Sequence, residues 1–174
     1  MNKSRIQAQR IATCGMLLAL MLVLGFVESQ LPVAAGIPGI KLGLSNIITV
    51  FAVFSLGPGE AAAILFARIF LGAIFGGNFS TILYSGAGGA CAIIVTIVLR
   101  RILTKKQLWV AGALGAIGHS VGQMAMAVLL TATPGLLVYL PVMILCSVIS
   151  GTFTGLCAQI LVNRGKDLWK ITSK

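Results

Sequence analysis

Acidic residues are almost missing from this chain. Of its 174 residues only Glu28, Glu60 and Asp167 carry a carboxylate, and residues charged with either sign make up 9%. A soluble domain of this length keeps its surface hydrated with roughly a quarter of its residues charged, so a soluble fold is excluded. Three scattered carboxylates also exclude magnesium-dependent diphosphate chemistry by the usual aspartate-rich site, which needs grouped acidic ligands. The sequence has no P-loop, and ATP hydrolysis by that route is excluded with it. No carboxylate lies at the centre of an apolar run, where a proton-coupled pump is expected to have one. Cys14, Cys91, Cys146 and Cys157 sit within apolar runs, without CxxC spacing or an adjacent histidine. They read as free thiols packed like small apolar groups, not as a zinc site or a disulfide framework. The expectation is a protein that is not an enzyme, with no catalytic residue, metal or cofactor of its own.

What the chain does have is hydrophobic residues, 58% of the total, and 21 glycines. The apolar residues fall into six runs, at about 11–29, 42–57, 60–77, 80–99, 108–131 and 137–162. About 20 apolar residues cross a bilayer as a helix, and 17 suffice. The first run follows a basic stretch like a signal peptide, but no small-residue cleavage site follows it, and it reads as a membrane span. The expected fold is an all-α membrane protein, a bundle of six transmembrane helices forming a single integral membrane domain over residues 1–174. Spans two and three are short and joined by a tight Gly57-Pro58-Gly59 turn, so a re-entrant hairpin is the alternative.

The net charge of +10 does not point to nucleic acid, because no basic amphipathic face appears. Eleven of the thirteen basic residues cluster before span one, between spans four and five (Arg100 to Lys106), and after span six. An even span count places all three clusters on one side, and the positive-inside rule makes that side the cytoplasm. Both termini are therefore expected there.

Burial from water cannot hold helices together in lipid, so close approach of small residues must do so. Gly72 with Gly76, Gly118 with Gly122, and Gly151 with Gly155 have GxxxG spacing. Each pair packs within the bundle or offers a surface to another membrane subunit. Polar side chains at membrane depth cost energy and usually have a role. Here they gather from mid-depth outward: Arg68 near mid-depth, His119 and Gln123 from there outward, and Glu28, Lys41, Asn46, Tyr84 and Tyr139 in the outer half. A cavity open to the outside, holding a polar small-molecule substrate, is the expectation. His119 and Gln123 are four apart and share a helix face. Plainer roles stand beside it. Arg68 pairs with Glu28, Lys41 reaches the headgroups, His119 only bonds a neighbouring helix, or Tyr139 is an interfacial anchor.

The stretch Glu28 to Pro32, followed by Pro38-Gly39-Ile40-Lys41-Leu42-Gly43-Leu44-Ser45-Asn46, resembles the signature of the Gx transporter family, also labelled heptaprenyl diphosphate synthase component I. The resemblance continues through Arg68 and Gly72, Tyr84-Ser85, Gly88-Gly89, His119, Gly122 and Gln123, Tyr139-Leu140-Pro141, and Gly151 and Gly155. Ser120 departs from it, standing where asparagine is expected. The family is similar to the substrate-binding S components of energy-coupling factor (ECF) importers. That resemblance implies six helices, a pocket near the outer face for a vitamin- or cofactor-like metabolite, and a bacterial plasma-membrane location. It also implies that Ala8, Ala12, Gly15 and Ala19 dock a transmembrane coupling protein driven by two cytosolic ATPases. The synthase label implies a different role, a non-catalytic membrane subunit of isoprenoid or quinone synthesis, and some members are associated with extracellular electron transfer. An enzyme using His119 as a base on a lipid-soluble substrate is a third reading.

Overall fold

In hydrocarbon a backbone must satisfy its own N–H and C=O groups, so each apolar run is obliged to coil. The computed structural model describes residues 3–30, 42–76 and 80–164. They form α1 (Lys3–Gln30), α2 (Leu44–Ser55), α3 (Pro58–Gly76), α4 (Ser80–Ile102), α5 (Leu108–Thr131) and α6 (Leu140–Arg164), with a 3-10 turn at Pro134–Tyr139. Among the described residues there is no strand. Five of the helices are long and apolar enough to cross a membrane, and α2, with 12 residues, is the short one. The architecture is an all-α membrane bundle of six helices.

The helix ends differ from the hydropathy limits for physical reasons. α1 begins at Lys3 rather than near residue 11, because a helix continues beyond the part that hydropathy marks as lipid-buried. α6 begins at Leu140, since Pro134 to Tyr139 wind more tightly. α2 is held to 44–55 by the glycines at its two ends. Gly43 has φ 70° and Gly57 φ 145°, conformations that a Cβ would strain.

The helices alternate in direction. At one end the Arg10 guanidinium meets Glu60, Nη1 to Oε1, at 3.6 Å. There too a Cβ on Gly57 would come within 3.9 Å of Arg100 Nη1. A Cβ on Gly155 would lie 2.7 Å from Trp109 Cα, which brings the second half of α6 beside the start of α5. The start of α1, the α2–α3 turn, the α4–α5 connection and the end of α6 therefore share the basic end. The Arg10–Glu60 pair is partly exposed and contributes about 0–1 kcal/mol.

α2 lies inside the bundle and packs against each of the other five helices. Its Val50, Ala52 and Val53 are fully buried, surrounded towards the basic end by Leu17, Ile64, Leu108, Ala111, Ala158 and Val162. α1 is peripheral: among its described side chains only Leu17, Met21 and Glu28 are buried.

α4, α5 and α6 form the tightest packing. Gly118 and Gly122 of α5 lie against Ala87 and Cys91 of α4, and a Cβ on Gly122 would sit 2.7 Å from Ala87 O. Gly151 and Gly155 of α6 lie against α5, and their main partner is Gly112. A Cβ on Gly112 would overlap Gly151 O and fall 2.5 Å from Gly155 Cα. Gly72 and Gly76 correct the expectation of packing within the chain. Both are exposed, with nothing within 4 Å of a Cβ at either position. Gly72→Ala is accordingly expected to leave the thermal midpoint of the detergent-extracted protein within the ~0.5 kcal/mol typical of surface changes. A large loss measured in the same assay would mean that this face is covered.

Candidate functional site

The half of the bundle away from the basic end is not filled by side chains. It contains a cavity with walls from all six helices. The space open to the centre of a water-sized sphere is about 90 Å³.

The periodicity of each helix brings its contribution to one face. α5 presents Ala116, His119, Ser120 and Gln123, and α6 presents Met143, Cys146, Ser147 and Ser150. Each set follows i, i+3, i+4, i+7, the stripe of residues on one side of an α-helix. α4 gives Ser85, Gly89 and Ala92, and α3 gives Leu65 and Arg68. α1 adds Met21 and Glu28, two turns apart.

The start of α2 completes the wall with Gly43, Ser45, Asn46 and Thr49. Its placement explains the glycine of the Lys41-to-Asn46 motif. Gly43 adopts a left-handed conformation ahead of the first helical turn, and its N–H donates to Glu28 Oε1. Its carbonyl accepts the Asn46 N–H at 2.8 Å. One residue thus ties the end of α1 to the start of α2 and puts Asn46 in the wall.

Glu28, 8% exposed, and Arg68 line the same cavity but form no direct ion pair. The Arg68 head lies along α1 at Gly25, where a Cβ would come within 3.0 Å of Nη2. The His119 ring lies over Gly88 of α4, with Cε1 2.9 Å from where a Cβ would be. Ser120 has a local role that asparagine's larger side chain would fill differently. Its hydroxyl is 2.6 Å from Ser147 Oγ, and Ser147 donates to Met143 O at 2.7 Å. With the Ser147 proton committed, Ser120 is the donor between them.

Of the residues singled out in the sequence, the structure brings together Glu28, Asn46, Arg68, His119 and Gln123. Tyr84 and Tyr139 are not among the lining residues, and Tyr139 is 46% exposed on the 3-10 turn. Lys41 lies outside the described residues. The expected direct Glu28–Arg68 bridge is replaced by the Glu28–Gly43 bond. Ala8, Ala12, Gly15 and Ala19 are all exposed along α1, and a Cβ on Gly15 would touch nothing. Thr49, Ser147 and Ser150 line the cavity without having been singled out in the sequence, and Ser45 and Ser85 stood out there only as parts of the family resemblance. The i, i+3, i+4, i+7 stripe over 143–150 was the signal available for the α6 set. Among the described residues no three His, Cys, Asp or Glu side chains come together as a metal site.

A family model described as heptaprenyl diphosphate synthase component I matches residues 17–161. The chain belongs to that family. The matched region of this component I protein starts within α1, ends within α6 and includes every described residue that lines the cavity. No curated protein and no solved structure matches the chain.

Proposed function

We propose that this protein is the substrate-binding membrane component of an energy-coupling factor type importer for a small metabolite, acting in a bacterial plasma membrane with both termini in the cytoplasm. The observation that carries the reading is the cavity. Among the described residues, a space lined by hydroxyls, amides, an imidazole and one charge of each sign opens in one half of an otherwise apolar bundle. Sites for small molecules are concave and orient their ligand with a few placed polar groups. The sequence holds no P-loop of its own, which fits an importer whose ATP hydrolysis is done by a partner. The exposed small-residue line of α1, from Ala8 to Ala19, suits docking of a transmembrane coupling protein, since small residues let helix backbones approach. Two cytosolic ATPases complete the assembly.

Purified protein in lipid nanodiscs should carry or bind a small polar metabolite, detected by native mass spectrometry. Asn46→Ala and His119→Ala should each weaken that binding by about tenfold, the ~1–2 kcal/mol of a buried hydrogen bond lost at a site. Unchanged affinity in both variants removes the cavity from the function.

The family description favours a second reading, a non-catalytic membrane subunit that anchors a prenyl synthase. Glu28 and Glu60 lie near opposite ends of the bundle, which leaves magnesium-bound diphosphate chemistry to the partner. Stoichiometric co-purification with a prenyl synthase, without a bound metabolite, selects this reading over the importer.

A further inference from the structure

The charges of the cavity point to a class of ligand, on the premise that the cavity is a solute site. Among the described residues, Glu28 and Arg68 are the lining residues with opposite full charges, and they do not neutralise each other by direct contact. Each lies against a different stretch of backbone. Glu28 Oε1 is engaged by the Gly43 N–H, which leaves its second oxygen as an acceptor. Gly25, three residues before Glu28, gives the Arg68 head its place along α1. A separated pair of this kind sets up a field across the cavity. An anion alone would satisfy Arg68 but face the Glu28 carboxylate, and a cation alone would face the guanidinium. Removing either charge from water without a partner costs several kcal/mol. A ligand that carries both charges completes both.

Size narrows the class further. At roughly 10–15 Å³ of such space per water, about 90 Å³ holds roughly six to nine waters. A molecule with a similar number of non-hydrogen atoms fills it, the size of a small amino acid. A diphosphate on a long isoprenoid chain is far larger than this space.

We propose that the cavity binds an amino-acid-sized zwitterion, its carboxylate on the Arg68 guanidinium and its ammonium on the Glu28 carboxylate. Ser85, His119, Gln123 and Ser150 then face the rest of the molecule and set which one is preferred.

The test compares matched probes on the wild-type protein in nanodiscs, read by native mass spectrometry and thermal shift. The probes are a mixture of small α- and ω-amino acids, the same skeletons without the amino group, and the same skeletons without the carboxylate. Saturable binding from the first mixture is expected, with both truncated sets at least ~10-fold weaker, the loss of one charge-assisted contact. Glu28→Gln keeps an acceptor for the Gly43 amide but loses the charge, and should lower zwitterion affinity by a similar factor. Arg68→Gln should do the same. Carboxylates that bind as well as amino acids, together with an indifferent Glu28→Gln, overturn the proposal, as does failure of every amino acid to bind. A final arm exposes the protein to a total cell extract of small metabolites. Capture of an uncharged or singly charged molecule, lost in Asn46→Ala, overturns the zwitterion and leaves the solute-binding reading intact. Capture of nothing overturns both. The wild-type probe comparison needs no variant, so a misfolded Arg68→Gln does not blunt the test.

Discussion

Gly112→Val is expected to be the most damaging single change in this chain. Its side chain would enter a space where α5 and α6 touch backbone to backbone, against Gly151 O and Gly155 Cα. No flexible side chain is there to move aside, so the helices must separate along the crossing. Overpacking of a tight interior costs about 1–3 kcal/mol, and more where nothing can yield. We expect roughly 3 kcal/mol, seen as a fall of about 10 °C in the thermal midpoint for a chain of this length. The same change at Gly72, which faces open space, is the control. Equal midpoints for the two variants, measured in one detergent, would contradict the assigned crossing.

The second large effect is expected on binding, together with some loss of stability, because the new methyl also meets the His119 backbone and α4 must ease away from α5. Gly88→Ala places a methyl 2.9 Å from His119 Cε1 and 2.9 Å from its carbonyl oxygen. The imidazole has to leave the position from which it lines the cavity. Displacing one polar contact of a buried ligand removes about 1–2 kcal/mol, so affinity for the bound metabolite should fall ~10-fold or more. Gly86→Ala, on the same helix and with nothing within 4 Å of the new Cβ, should bind as the wild type does. The comparison is made by titrating the co-purified metabolite back onto the stripped protein. If both variants retain full affinity, His119 has no part in the site.

Comparison of particular residues shows where the sequence was readable. Glu28, Arg68, Asn46, His119 and Gln123 stand out because such groups are costly in hydrocarbon, and a costly group is rarely placed without a partner or a task. The serines do not stand out. A serine hydroxyl in a helix can bond the carbonyl one turn back, as Ser147 does to Met143, and so costs little on any face. Only the assembled bundle separates lining serines from idle ones. The glycine pairs teach a related point. GxxxG spacing permits close approach but does not name the partner. Gly151 with Gly155 found one in Gly112, a glycine outside any GxxxG pair, whereas Gly72 with Gly76 found none among the described residues. Six apolar helices were readable from hydropathy alone, five of them long enough to cross a membrane, and α5 ends where that profile does. The short α2 was less so, because its limits are set by backbone conformation at Gly43 and Gly57.

The intimate seam between α5 and α6 has a consequence for recognition. Helices locked main chain against main chain behave as one plate, and that plate carries His119, Ser120, Gln123, Ser147 and Ser150 together. Much of the receptor surface is thereby prearranged before any solute arrives. The relative placement of the two helices is settled when the chain folds, and the hydrogen-bonded Ser120–Ser147 pair with it. The ordering cost left for capture therefore falls on the other lining side chains, about 0.5–1.5 kcal/mol for each one immobilised.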